Sequence, residues 1–199
     1  MDLEFVERER TPRPAIEVGI RLHLAGLSLS NTKREIEKLG VERSRTAIHN
    51  WVQKTDLQPT SDTIPNQIAV DETVIRVTGE RCWLYAAVNP ATNEFLHSQL
   101  FQALTTQLTL LFFRDLREKQ QVEQATFLVD EAHHLQTALT RLGLRFQYIR
   151  HGNRNSVERV FREVKRRTSS FSNAFRNVEL ETAESWLQAC AVWHNSCQT

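Results

Sequence analysis

Two hydrophobic periods divide this chain. Up to about Lys54 the apolar residues recur at helical spacing, and from Gln67 the spacing tightens towards strand alternation. The helical part breaks into three pieces. Pro14 suits a first helical position, with Ile16, Ile20, Leu22 and Leu24 following up to a stop at Gly26. Ser30 is the expected N-cap of a second helix, with Thr32 and Glu35 offering a capping box in a nearby register, Ile36 and Leu39 inward, and Gly40 as the residue past its end. Ser44 is placed to cap a third helix, Arg45 to Lys54, which turns Ala47, Ile48, Trp51 and Val52 inward. Two short helices joined by a glycine-containing turn make a helix-turn-helix. The outward set on its last helix is Arg45, Thr46, His49, Asn50, Gln53 and Lys54. Cations, amides and hydroxyls of this kind contact phosphates and groove edges. A plain three-helix bundle with a polar face would carry the same pattern.

Residues 55–66 hold Pro59 and Pro65 among Ser, Thr and Asp and read as a lead-in. The expected divisions are a helix-turn-helix module at 1–58, a linker at 59–66 and a second domain at 67–199. That domain opens with strands Gln67 to Val77, Arg81 to Val88 and Glu94 to Phe101, joined by short polar turns as an antiparallel meander. A helix follows over 103–119, then an apolar strand, Thr126 to Val129. A helix from Ala132 to Leu142 stops at Gly143, and Arg145 to Ile149 forms a strand. Val157, Val160, Phe161 and Val164 make one stripe of a further helix within 154–167, and a last helix runs from about Glu179 to His194. Three antiparallel strands plus two strands added through helical crossovers is a ribonuclease-H-like α/β layout.

Composition narrows the function. The formal charge of the 199 residues is only +1, but it is unevenly placed: Arg145 to Arg167 holds eight Arg or Lys against two Glu. Cys82, Cys190 and Cys197 have no metal-ligand spacing, so reduced thiols and no structural zinc are expected. No stretch is apolar enough to span a bilayer, and Met1 to Arg10 alternates acid and base without the apolar core of a secretory signal. A cytoplasmic, nucleoid-associated protein with no membrane partner is expected.

Three acids carry the candidate chemistry. Asp71 lies mid-strand between apolar neighbours, where a carboxylate is costly unless it meets a cation. Asp130 ends the fourth strand, which neighbours the first in this topology. It could also cap the following helix. Glu158 lies on the helix after the fifth strand, sharing a face with Arg162 and Lys165. A solvated helix with Glu–Arg and Glu–Lys pairs is the plainer reading of that segment. Oxygen-only ligands favour Mg²⁺ or Mn²⁺, and two such ions roughly 3.5–4 Å apart support phosphoryl transfer. Glu72 and Glu131 are expected to point away from this set, and His133 and His134 to be helix-surface residues.

With these residues in place the chain resembles the DDE transposases of prokaryotic insertion sequences, of the insertion-sequence family six type. The matching pieces are Leu29-Ser30, Arg45-Thr46-Ala47-Ile48-His49-Asn50-Trp51-Val52, Val70-Asp71-Glu72-Thr73 and Trp83-Leu84-Tyr85-Ala86-Ala87-Val88. Further along they are Val129-Asp130 and Asn155-Ser156-Val157-Glu158 with Lys165-Arg166-Arg167-Thr168, so the similarity covers almost the whole chain. The resemblance implies that Asp71, Asp130 and Glu158 are the catalytic, metal-holding triad for two Mg²⁺ or Mn²⁺ ions. It implies that Lys165 accompanies the glutamate, that Arg162 and Arg166 clamp phosphates, and that Arg45, Thr46, His49 and Asn50 contact the DNA ends. It also implies cleavage at terminal inverted repeats, replicative strand transfer into target DNA, and at least a dimer to join two ends. One departure is the interval of 27 residues between Asp130 and Glu158, shorter than the family's usual spacing. Two rivals remain: a non-catalytic DNA-binding regulator derived from a transposase and, more weakly, a ribonuclease-H-like nuclease.

Overall fold

A computed structural model describes residues 11–55, 58–59, 64–149, 157–159, 161–162, 175 and 177–197. Within these, three helices, α1 (Arg13–Leu24), α2 (Leu29–Lys38) and α3 (Arg45–Lys54), precede the strands β1 (Gln67–Val77), β2 (Glu80–Val88) and β3 (Phe95–Phe101). They are followed by α4 (Thr106–Lys119), β4 (Thr126–Val129), α5 (His133–Leu142), β5 (Phe146–Tyr148) and a last helix α6 (Leu180–Ser196). Residues 157–159 and 161–162 are helical. Residues 1–10, half of the expected linker (60–63) and residues 154–156, 160 and 163–167 of the expected 154–167 helix lie outside the described residues.

The strands form one sheet in the order β3-β2-β1-β4-β5. β1 pairs antiparallel with β2 and parallel with β4, β2 pairs antiparallel with β3, and β4 pairs parallel with β5. This is the expected ribonuclease-H-like arrangement: a meander extended at its β1 edge by two crossover strands. Both faces are covered, so alternate residues on each strand feed different cores. Ile68, Val70, Tyr85, Phe112, Phe113, Phe127 and Val129 belong to the core beneath α4 and α5. Ala69, Ile75, Leu84, Ala86 and Leu128 belong to the other, which also takes in Trp186 and Leu187 of α6. That second core runs on without a break into Ile16, Ile20, Ile36, Ile48, Trp51 and Val52 of the three N-terminal helices. The bundle is therefore packed against the sheet domain through α6, and Gln53 Nε2 donates to the Thr182 carbonyl of α6 at 3.3 Å.

Several local expectations shift. Ser28, not Ser30, caps α2: it is extended, and its hydroxyl accepts from the Asn31 amide at 3.2 Å, while Leu29 and Ser30 are already helical. α4 starts at Thr106 rather than 103 because Thr105 is extended and its hydroxyl accepts from the Leu108 amide. β5 keeps only three residues of the expected five. The open edge of β3 is closed by Asn195 of α6, which accepts from the Phe95 amide at 2.8 Å and donates to the Phe95 carbonyl at 2.9 Å. A side chain thereby takes the place of a further strand.

Two features of the meander yield measurable consequences. The β1–β2 hairpin turns through Thr78 and Gly79, with φ of 51° and 87°. Two central residues with positive φ make the hairpin turn that suits Asn-Gly best, and a β-branched residue there is strained. The Thr78 amide offsets part of that cost by donating to the Phe175 carbonyl at 2.6 Å. Thr78→Asn is expected to stabilise the protein by about 1 kcal/mol, a rise in Tm of roughly 2–4 °C for a chain of this size, read by thermal unfolding.

His97 on β3 is buried and stacks on Phe112 with 5.1 Å between ring centroids. Burial first, then the Lys119 cation, pushes its pKa down to about 3. The folded protein thus keeps His97 neutral at pH values where the unfolded chain protonates it. From this group, stability is constant above the ordinary histidine pKa of about 6.5, falls as pH drops from there towards about 3, and levels off below. The slope approaches about 1.4 kcal/mol per pH unit. In His97→Phe, urea melts at pH 4.5 and 7 should lie closer together than in the unsubstituted protein.

Candidate active site

Asp71 stands in the middle of β1 and is 8% exposed, opposite Ala86 of β2. The parallel β1–β4 ladder pairs Gln67 with Thr126, Ile68 with Phe127 and Ala69 with Leu128. The ladder ends at that last pair, and the same register carried two residues further would set Asp71 beside Asp130. β4 ends at Val129, and the chain turns at Asp130, whose Oδ1 accepts from the Ala132 amide at 2.8 Å. Asp130 braces the turn before α5, while the N-cap position of that helix is Ala132, with no side-chain bond. On the other strand, Asp71 Oδ1 accepts from the Glu72 amide at 3.0 Å. Each carboxylate is thus oriented by a backbone amide one or two residues further along the chain.

Strand alternation settles the face of Asp71, while Asp130 lies just past the end of β4. Ala69, Ile75 and Val77 of β1 and Leu128 of β4 all lie in the core that α6 covers. Asp71 falls on that same side by period two, and Asp130 follows Leu128 by two residues. Val157 and Phe161 are buried in that core as well, so the helical residues bearing Glu158 pack on the face to which Asp71 belongs. Glu158 itself is exposed. Among the described residues no three His, Cys, Asp or Glu side chains stand close enough to share a metal ion. Asp71 and Asp130 each lie two residues beyond the last β1–β4 pair, and among the described residues the two do not form a three-carboxylate cluster with Glu158.

The adjacent Asp pair still suits a hard divalent cation: two carboxylates on neighbouring strands repel unless a positive charge lies between them. Asp71 and Asp130 are the residues that would hold such an ion. Of the expected DNA-contacting residues, Arg45, Thr46, Asn50 and Arg162 are exposed and His49 is half-buried, while Lys165 and Arg166 lie outside the described residues. Gln53, expected on the outward face of α3, instead joins that helix to α6.

On the opposite face of β1 the structure corrects one expectation. His134 is not a helix-surface residue: its side chain and that of Glu72 are each 15% exposed, with Nε2 and Oε1 3.2 Å apart. Its ring meets Tyr85 edge-on at 6.3 Å, and the Tyr85 hydroxyl lies 3.0 Å from Thr109 Oγ1. Burial raises the Tyr85 pKa to about 12. Glu72 does point away from Asp71, as its position in the strand requires. The signal that could have found the pair was a second acid, Glu72, mid-strand beside Asp71, together with a helix opening on two histidines.

A family described as a DDE domain, DDE_Tnp_IS240, matches residues 66–199. The uncharacterised protein MJ0017 of Methanocaldococcus jannaschii is 30% identical over 201 aligned residues, covering 96% of this chain and 92% of its own. Among solved structures, the catalytic core domain of BIV integrase aligns with a TM-score of 0.46 at 18% identity, over 63% of this chain and 80% of its own. The HTLV-2 integrase catalytic core in complex with magnesium aligns with a TM-score of 0.48 at 14% identity, over 67% of this chain and 86% of its own. With a five-stranded sheet in this order and a family match across all of it, the chain belongs to the DDE transposases of the insertion-sequence family six type.

Proposed function

We propose that this protein is a polynucleotidyl transferase that cuts DNA at the ends of an insertion sequence and joins the freed 3′ ends to target DNA. What supports the reading is the family match to a DDE domain over residues 66–199, together with a parallel β1–β4 pairing whose last pair lies two residues before Asp71 and Asp130. Asp71 and Asp130 would hold Mg²⁺ or Mn²⁺, with Glu158 as the third carboxylate. A divalent ion supplies activation of a water or a 3′-hydroxyl and charge neutralisation on the leaving oxygen.

The remaining roles follow from charge and placement. Arg162, exposed one turn beyond Glu158, pairs with backbone phosphates, and Lys165 and Arg166 extend the same cationic stretch. Arg45, Thr46, His49 and Asn50 of α3 contact the terminal inverted repeats. The bundle 1–58 then acts as the end-binding module and 67–199 as the catalytic domain, joined by 59–66. Two ends must be held together for transfer, so the working form is at least a dimer.

Labelled DNA carrying the ends that flank the gene provides the test. Mg²⁺- or Mn²⁺-dependent nicking at the junction, with end binding that weakens as salt rises, is the expected result. Binding without any metal-dependent cleavage would leave the rival, a DNA-binding regulator descended from a transposase.

A further inference from the structure

Between α5 and the strand β5 lies an open groove of about 360 Å³, lined chiefly by His133, Gln136, Thr137 and Arg141 of the helix and by Phe146 and Tyr148 of the strand. Among the described residues β5 pairs with β4 alone, so the groove runs along an edge of the sheet. Tyr148 is 52% exposed, yet its ring is held. Phe146 meets it edge-on with 5.5 Å between centroids, and its hydroxyl donates to Gln136 Oε1 at 3.1 Å. Arg141 is exposed and has no ion-pair partner among the described residues. None of the described lining residues is acidic. The groove also stands at the end of the sheet where β4 stops: Tyr148 pairs with Val129, and His133 follows Asp130 by three residues.

We propose that this groove takes an unpaired base of single-stranded DNA, with the base stacked on Tyr148 and the adjoining phosphate paired with Arg141. A solvent-facing aromatic ring beside an uncompensated cation is the chemistry that holds single strands, because every base offers a π face and every nucleotide a negative charge. Duplex DNA fits this site less well, since its bases already stack on one another and present only their edges. Holding the ring from two sides before binding reduces the ordering cost when the base arrives. The inference deepens the proposed function and rests on DNA being the partner, but no metal ion enters it.

The test is fluorescence anisotropy of the full chain with a labelled thymidine tract and with a duplex of the same length, both in chelator so that no cleavage intervenes. Tyr148→Ala is expected to weaken binding of the single strand about tenfold and to leave the duplex unchanged. Tyr148→Phe keeps the ring and should bind the tract like the unsubstituted protein. Arg141→Ala should weaken the tract too, and should flatten the dependence of log affinity on log salt by about 0.7, the share of one phosphate contact on a single strand. Tyr148→Ala should not flatten it. Unchanged tract affinity in Tyr148→Ala, or an unchanged salt slope in Arg141→Ala, overturns the proposal. So does an equal loss on the duplex, which would mark a general disturbance rather than stacking. Melts and sedimentation of the same preparations cover the other occupants of the groove. A lowered Tm with unchanged tract affinity would make Tyr148 a packing residue, and a smaller oligomer with unchanged tract affinity would assign the face to a second copy of the chain; either refutes the site. Strand cleavage is not part of the readout, so a failure of the transferase reading leaves this result standing, and a failure here leaves end cleavage untouched.

Discussion

Asp71→Asn is expected to lower metal-dependent DNA cleavage by about 10³-fold or more, a loss of roughly 4 kcal/mol of transition-state stabilisation. Asp130→Asn should do the same. The substitution is nearly isosteric, so the hydrogen bond from the Glu72 amide to the residue-71 side chain survives. What disappears is one of two negative charges on neighbouring strands. Without divalent ion, removing it relieves like-charge repulsion and should raise stability by up to about 1 kcal/mol. The prediction is therefore paired: activity gone, Tm unchanged or higher, and DNA binding through α3 retained. Cleavage of a labelled end, binding by fluorescence anisotropy and a melt of the same preparation check all three. A variant that melts lower and cleaves normally would show that Asp71 is a structural residue.

The largest effect on stability is expected at Trp51. This side chain is 1% exposed and stands where the three-helix bundle meets the rest of the core. A Cβ on Gly19 would lie 2.7 Å from Ile36 Cδ1 of α2 and 3.1 Å from Trp51 Cζ3 of α3, so α1 packs tightly on both helices at that glycine. Trp51→Ala leaves a cavity at that contact and should cost about 3–5 kcal/mol, against a total stability of about 5–15 for an ordinary domain. Tm is expected to fall by roughly 10 °C. Trp51→Phe should cost much less, because Trp51 Nε1 is buried without a hydrogen-bond partner and Phe removes that unsatisfied donor. The consequence reaches function: α3 presents Arg45, Thr46 and Asn50 only while its inner face is held. End binding should weaken in Trp51→Ala at temperatures where Trp51→Phe still binds. Equal melts for the two variants would refute the cavity argument.

The sheet was legible because its signals are local. Alternation marked β1 to β3, Gly79 and Asn93 stood at turns with positive φ, and short apolar runs marked β4. Asp71 stood out as an acid among inward apolar residues, and Asp130 as the acid at a strand end. Cap positions were less legible: Ser28 and Ser30 have the same chemistry, and the choice depends on where the chain leaves extended φ and ψ. His134 was misjudged for a comparable reason. Its polarity suggests a surface, and only the strand passing beneath α5 supplies the carboxylate that lets it be mostly buried. Gln53 likewise looked outward because nothing near it in sequence announces the Thr182 carbonyl.

By itself, the amino-acid sequence determined the order of elements, the positions of the two aspartates on their strands and the cationic character of the region around Glu158. Those follow from hydrophobic period and residue chemistry, which act over a few neighbours. Only the tertiary structure decided that β1 and β4 pair in parallel with Ala69 opposite Leu128, that Asp71, Asp130 and Glu158 form no three-carboxylate cluster among the described residues, and that the N-terminal helices share a core with α6. Register, helix docking and the pairing of Glu72 with His134 arise from contacts between residues far apart along the chain, where packing and charge select one arrangement from many that the local pattern permits.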